Sequence, residues 1–265
     1  MIVVDSHCHV SPSWYEPVET LLHQMDRYGV AHAVLIQMQG QTDNDYQFAC
    51  VERFPGRFAP VVLLDTARPD ATETLRRLAE RGASGVRLKP TTRSPGEDPL
   101  AIWRAAGSLG LAVSCAGASA EFASESFAQV VASVPEVRIV LEHLAGVSRP
   151  DASDTERALR RRAFTLARFP NCSIKITGLG EFCPRALPAT GPFPFARPIP
   201  PYLTEAYDAF GPRRMMWGSD YPPVSAREGY GNALRLTMAQ FADKSADDRA
   251  SIFGGTARAI FPPRG

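Results

Sequence analysis

The sequence predicts a single-domain (β/α)8 TIM barrel, and three observations carry that prediction. Short β-type runs alternate strictly with helical stretches, eight units in all. A length of 265 residues suits one closed barrel, although it would also hold two smaller domains. The turn after the first strand, His7-Cys8-His9-Val10-Ser11-Pro12, contains no glycine. An open doubly wound sheet, the alternative, would usually carry a Gly-rich turn there. No composition shift or internal repeat marks a boundary, so one domain over 1–265 is expected.

The elements follow in order. Residues 2–9, apolar and then polar, are the first strand, and 16–28 have a helical pattern. Strand two is expected over 32–38 with a helix at 44–54, and strand three over 58–64 with a helix at 70–81. Strand four (85–89) precedes a helix at 99–109, and strand five (111–115) one at 121–134. Strand six (137–143) precedes a helix at 154–169. After strand seven (172–177) comes a Pro-rich stretch, then a helix near 202–210. Strand eight (214–220) is followed by helices near 231–241 and 246–260.

Composition excludes several functions. Net charge is +1, which gives no electrostatic case for nucleic acid or a polyanionic surface. No apolar run reaches the ~20 residues that span a membrane. Met1-Ile2-Val3-Val4-Asp5 reads as a strand, not as a secretory signal. The five cysteines, Cys8, Cys50, Cys115, Cys172 and Cys183, match no zinc or disulfide spacing. Reduced thiols in a cytoplasmic protein are the simplest expectation. A small-molecule substrate is therefore the expected partner, with a homo-oligomer left open.

In a barrel the reactive groups sit at the carboxyl ends of strands. Strand one ends in Asp5-Ser6-His7-Cys8-His9, and its alternation puts Asp5, His7 and His9 on one face. Two imidazoles there can hold a divalent ion or orient a water; a merely structural His pair is the alternative. Strand six ends in Ile139-Val140-Leu141-Glu142-His143, where alternation aligns His143 with Leu141 and puts Glu142 opposite. His143 could instead cap the next loop. Strand eight ends in Trp217-Gly218-Ser219-Asp220-Tyr221-Pro222. Closure of the barrel brings Asp220 opposite the histidines, as a general base or a metal ligand; a helix cap or turn is the alternative.

Three cations have a suitable position. Arg87 and Lys89 share a face of strand four, and Lys175 lies within strand seven. Each could anchor an anionic substrate group, or sit in an internal ion pair. Residues 184–201 hold seven of the 23 prolines and read as a semi-rigid cover over the mouth or as a subunit contact. His23 and His32 lie away from the strand ends and are expected to be structural or exposed.

At these residues the chain resembles the amidohydrolase-2 group of the amidohydrolase superfamily. The resemblance runs through Asp5-Ser6-His7-Cys8-His9, Gly85-Val86-Arg87, Leu141-Glu142-His143-Leu144 and Trp217-Gly218-Ser219-Asp220-Tyr221-Pro222. Residues 248–257 look like the family's closing helix. The most similar branch holds lactonases such as 2-pyrone-4,6-dicarboxylate lactonase, 4-sulfomuconolactone hydrolase and sugar-acid lactonases; the wider group includes metal-dependent decarboxylases. The resemblance implies His7, His9, His143 and Asp220 as the catalytic set. They are also the ligand set where a divalent ion, zinc or manganese, is bound. Strand five ends in Val113-Ser114-Cys115-Ala116 without the family's histidine, which argues against two ions. Metal-independent members leave a metal-free site as the alternative.

Three functions follow. The first is hydrolysis of a small lactone, carboxylate-bearing by expectation, with Asp220 as base and Arg87, Lys89 and Lys175 as substrate anchors. The second is metal-dependent, non-oxidative decarboxylation of an aromatic or muconate-type acid. The third is a non-catalytic ligand-binding barrel.

Overall fold

Eight parallel strands lie side by side in sequence order: β1 (Val3–Cys8), β2 (Val30–Ile36), β3 (Phe58–Val62), β4 (Gly85–Leu88), β5 (Ala112–Cys115), β6 (Ile139–Leu141), β7 (Cys172–Ile176) and β8 (Met215–Trp217). The computed structural model describes residues 1–146 and 153–264. The barrel closes just beyond β8. There a parallel bridge joins Cys8 to Tyr221, and Asp220 N–H donates to His7 O at 2.8 Å. This seam is tight because Gly218 has no side chain: a Cβ there would stand 2.6 Å from the His7 Cβ.

Helices alternate with the strands: α1 (Val18–Tyr28), α2 (Asp45–Arg53), α3 (Ala71–Glu80), α4 (Ala101–Ser108), α5 (Ser119–Phe122), α6 (Glu125–Ser133), α7 (Asp154–Phe164), α8 (Tyr202–Phe210), α9 (Tyr230–Ala239), α10 (Ala246–Ala250) and α11 (Thr256–Ile260). The expected 121–134 helix is two helices, because Ser124 caps α6 by accepting Phe127 N–H at 3.2 Å. The expected 246–260 helix contains a π turn over Ser251–Gly255.

Strand alternation sorts the side chains into two apolar layers. The larger one packs the outer strand faces against the helices. The smaller one fills the barrel itself with Val4, Val34, Val61, Val140 and Met216, and is plugged from below by Ala257 of α11 and by Phe261 just after it. Above that floor the interior turns polar: Ser114, Lys175, Arg87 and Glu142 are all buried there. The floor carries the fold, and the polar tier carries the site.

Candidate active site

The structure brings His7, His9, His143 and Asp220 together at the mouth. Asp220 Oδ1 lies 3.9 Å from His7 Nε2 and 3.6 Å from His9 Nε2. The His7 ring centroid is 4.9 Å from that of His9 and 4.7 Å from that of His143. Asp220 has a left-handed backbone, φ 58°, a conformation that Asp tolerates better than most residues. Its neighbour Ser219 is fixed from below, since Ser219 N–H and Oγ–H donate to the Asp5 carboxylate at 2.9 and 2.6 Å. Asp5 is thus not on the His7–His9 face. The β1–β2 register shifts between Asp5 and Cys8, and that irregularity breaks the expected alternation.

Each histidine has a distinct partner on Nδ1, and the partner decides what Nε2 can do. His9 Nδ1 lies 2.7 Å from Ile36 O, so that nitrogen carries a proton and the ring presents Nε2 to Asp220. His143 Nδ1 lies 3.1 Å from Glu181 Oε2. Burial pushes the His143 imidazole down, but Glu181 and Asp220 outweigh it and hold it up at about 9. His7 Nδ1 lies 3.2 Å from Lys175 Nζ. Burial and the neighbouring Lys175 push His7 well below its ordinary value, so its ring is neutral. An ammonium at Lys175 donates to Nδ1, which places the His7 proton on Nε2, facing the site.

Asp220 is held from its other side as well. Arg227 donates to Oδ2 at 2.9 Å, leaving Oδ1 to the histidines. Burial pushes the carboxyl up, but His9, His143 and Arg227 together hold it at about 2. Asp220 is therefore ionised across the physiological range.

The second wall corrects the expected phase of β6. Glu142, not Leu141, points inward: Arg87 donates to its two oxygens at 3.1 and 2.7 Å, and Ser114 Oγ–H at 2.7 Å. β6 ends at Leu141, and Glu142 keeps the inward phase of Val140. His143 would then point outward, yet it also faces in. The chain turns left-handed at His143, Leu144 and Ala145, with φ of 52°, 52° and 60°. Left-handed L-residues cost roughly 1–2 kcal/mol each. Gly146 completes the turn at φ 117°, where a Cβ would stand 2.5 Å from Ser119 N.

The proposed substrate anchors separate. Arg87 is in the internal ion pair and also donates to Gln37 O at 2.9 Å, but it still borders the cavity. Lys175 is fully buried beneath His7 and donates to Ser114 Oγ at 2.8 Å, so it is no cavity-wall anchor. Burial pushes it down to about 8, against the pull of Glu142. Lys89 lies past the end of β4, exposed at the cavity rim, with no ion pair among the described residues. The cavity beside it measures about 830 Å³ and is bordered by Arg87, Glu142, His143 and Arg160. A second lobe of about 550 Å³ reaches His9, Asp220, Trp14 and Tyr15. Arg87 and His143 border both lobes.

None of residues 184–201 borders these lobes. That stretch pairs with itself instead, through Arg185 and Phe195, with Ala186 N–H donating to Pro194 O at 2.7 Å. His23 is exposed, and His32 Nδ1 lies 2.6 Å from Gly56 O, both away from the mouth. The five thiols are buried and unpaired. No motif marks Glu181, Arg227 or Arg160: Glu181 and Arg160 lie far along the chain from His143, and Arg227 follows Asp220 by seven residues across an irregular turn.

The donor set fits one divalent ion. His7, His143 and Asp220 each offer an atom, all within 4.8 Å of one another, and His7 Nε2 has no hydrogen-bond partner among the described residues. No helix is long and apolar enough to cross a membrane among the described residues.

Comparison with known proteins gives the family and agrees with the fold. A family profile described as Amidohydrolase matches residues 4–262. An L-fucono-1,5-lactonase of Burkholderia ambifaria is 34% identical over 128 residues, 46% of this chain. The match spans only 41% of that relative's length. A structure from Pseudomonas putida, a candidate 2-pyrone-4,6-dicarboxylic acid hydrolase, superposes with a TM-score of 0.74 at 23% identity, over 98% of this chain and 97% of that one. A zinc-bound amidohydrolase from Burkholderia multivorans gives 0.75 at 21% identity, over 98% and 99%. The chain belongs to the amidohydrolase family.

Proposed function

We propose that this amidohydrolase opens a small lactone with water activated at His7, His9, His143 and Asp220. The observation that carries the reading is the divided Asp220 carboxylate: Oδ2 is tied to Arg227 while Oδ1 faces two imidazoles. A water at Oδ1 gives up a proton to Asp220, and its oxygen bonds to the lactone carbonyl carbon. His7, with its proton on Nε2, and the His143 imidazolium stabilise the negative charge on the carbonyl oxygen. The ring C–O bond then breaks. The leaving alkoxide takes a proton from His143, giving a hydroxy acid. Glu181 keeps His143 charged for that step, and Lys175 fixes the His7 tautomer.

A single zinc or manganese ion on His7, His143 and Asp220 would supply Lewis acidity at the same place. To hold an ion there, His143 would have to be neutral, and a neutral Lys175 would accept His7 Nδ1–H. At the rim, Lys89 and the remaining Arg87 N–H groups receive a substrate carboxylate or hydroxyl.

The lactones named in the relatives, L-fucono-1,5-lactone and 2-pyrone-4,6-dicarboxylate, belong in the first assay panel. Acid release on at least one lactone, lost in Asp220→Asn, is the expected result. Full lactonase activity in Asp220→Asn, or release of CO2 from an aromatic acid with no lactone turnover, would overturn the proposal.

A further inference from the structure

We infer that Arg160 is a positioning residue that forces the left-handed turn of residues 143–146 and so delivers His143 to the site. The inference rests on the proposed role of His143. One local hydrogen bond, Gly146 N–H to Glu142 O at 3.0 Å, offsets only part of the cost of this turn. Three successive L-residues occupy the left-handed region, and only Gly146 is suited to it. Something outside the turn must hold it. The Arg160 guanidinium, on α7, donates to His143 O at 3.1 Å, to Leu144 O, and to Gly146 O at 2.7 Å. Ser119 Oγ–H donates to the remaining carbonyl, Ala145 O, at 3.0 Å.

Arg160 is itself unusual. It is 4% exposed and has no carboxylate ion pair among the described residues. Its other neighbour is the Tyr202 ring, 5.2 Å from the guanidinium carbon. A buried cation is costly unless its donors are met. Here three carbonyls of one turn meet them. A planar fork can span these diverging carbonyls from two separate nitrogens, whereas a lysine ammonium gathers its three donors on one nitrogen and lacks that reach. Guanidinium and turn therefore stabilise each other, and His143 faces inward as a consequence.

The test compares Arg160→Met with His143→Ala on whichever panel lactone is hydrolysed, with folded protein confirmed by circular dichroism. Arg160→Met should lower kcat toward the His143→Ala value with KM retained. Adding Ala145→Gly should recover about tenfold, the population shift that relief of one left-handed residue corresponds to. Guanidinium ion below denaturing concentration should also restore turnover. A crystal structure of Arg160→Met should show the His143 ring withdrawn from His7.

An unchanged kcat, a rise in KM alone, a loss that Ala145→Gly does not recover, or an undisplaced His143 ring would each overturn the inference. Full turnover in His143→Ala would instead overturn the role of His143. The crystal structure then decides the clamp by itself. If Arg160→Met does not fold, Arg160→Lys with and without Ala145→Gly carries the same comparison.

Discussion

The two sides of the mouth are built by different means. At the β1–β8 seam backbone pairing sets the position, with Asp220 N–H donating to His7 O and His9 N–H to Tyr221 O, both at 2.8 Å, and the Asp5 and Arg227 side chains adding to it. On the β4–β7 side, side chains do it, through Arg87–Glu142, Lys175–Ser114, His143–Glu181 and Arg160 with its carbonyls. The seam should therefore tolerate changes in charge without losing its geometry. The opposite wall should lose stability when any charge is removed, because each one meets a buried charge or carbonyl that would be left unpaired.

The largest expected effect tests the seam. Asp220→Asn should reduce lactone turnover by about 10²–10⁴, the usual contribution of a general base, while the protein stays folded. Steady-state rates beside a denaturation curve measure both. A variant that unfolds would show that the seam, too, depends on charge. The matching change in the wall is Glu142→Gln, which leaves Arg87 and Lys175 buried without their carboxylate. Loss of one partner of a buried pair typically costs about 3–5 kcal/mol. Urea unfolding should show that loss, and a cost under about 1 kcal/mol would erase the contrast between the two sides.

The contrast also explains what the sequence revealed. His7, His9 and Asp220 were legible because each lies at the end of a strand and the seam joins them directly. The eight strands were legible for the same local reason. Glu142 and His143 were adjacent in the expected motif, but their phases were not legible. One depends on β6 ending at Leu141, and the other on a turn that residues 143–146 alone do not specify. Arg160 and Glu181 lie 17 and 38 residues beyond His143, and no local pattern links such pairs. The internal ion pair considered for Arg87 was the reading that its burial favoured, and Glu142 is its partner.

The wall should also respond to pH in a way the seam does not. Glu181 and Asp220 overcome burial to raise His143 from 6.5 to about 9. A raised imidazole stabilises the fold fully below pH 6.5 and stops doing so as pH climbs through about 9. That rise corresponds to roughly 3 kcal/mol. The difference in unfolding free energy between the wild type and Glu181→Gln should therefore shrink as pH rises over that range. A difference that stays constant with pH would mean that His143 is not charged against Glu181. Asp220, held at about 2, loses its contribution only as pH falls below its ordinary 3.8. Asp220 does not itself titrate over the alkaline range, so any change there follows His143.

The smallest expected effect concerns the one anchor that belongs to neither side. Lys89 stands exposed at the rim, past the end of β4, with no ion pair among the described residues. Charges in such a position gain little, about 0.2–1 kcal/mol, because water and salt screen them. Lys89→Met should therefore raise KM for a carboxylate-bearing lactone a few-fold, leave kcat alone, and leave a neutral sugar lactone unaffected. Added salt should remove the wild-type advantage on the charged substrate. A fall in kcat would instead place Lys89 in contact with the reacting group, and the rim would then belong with the wall. An equal effect on both lactones would point to shape, not charge, as what Lys89 contributes.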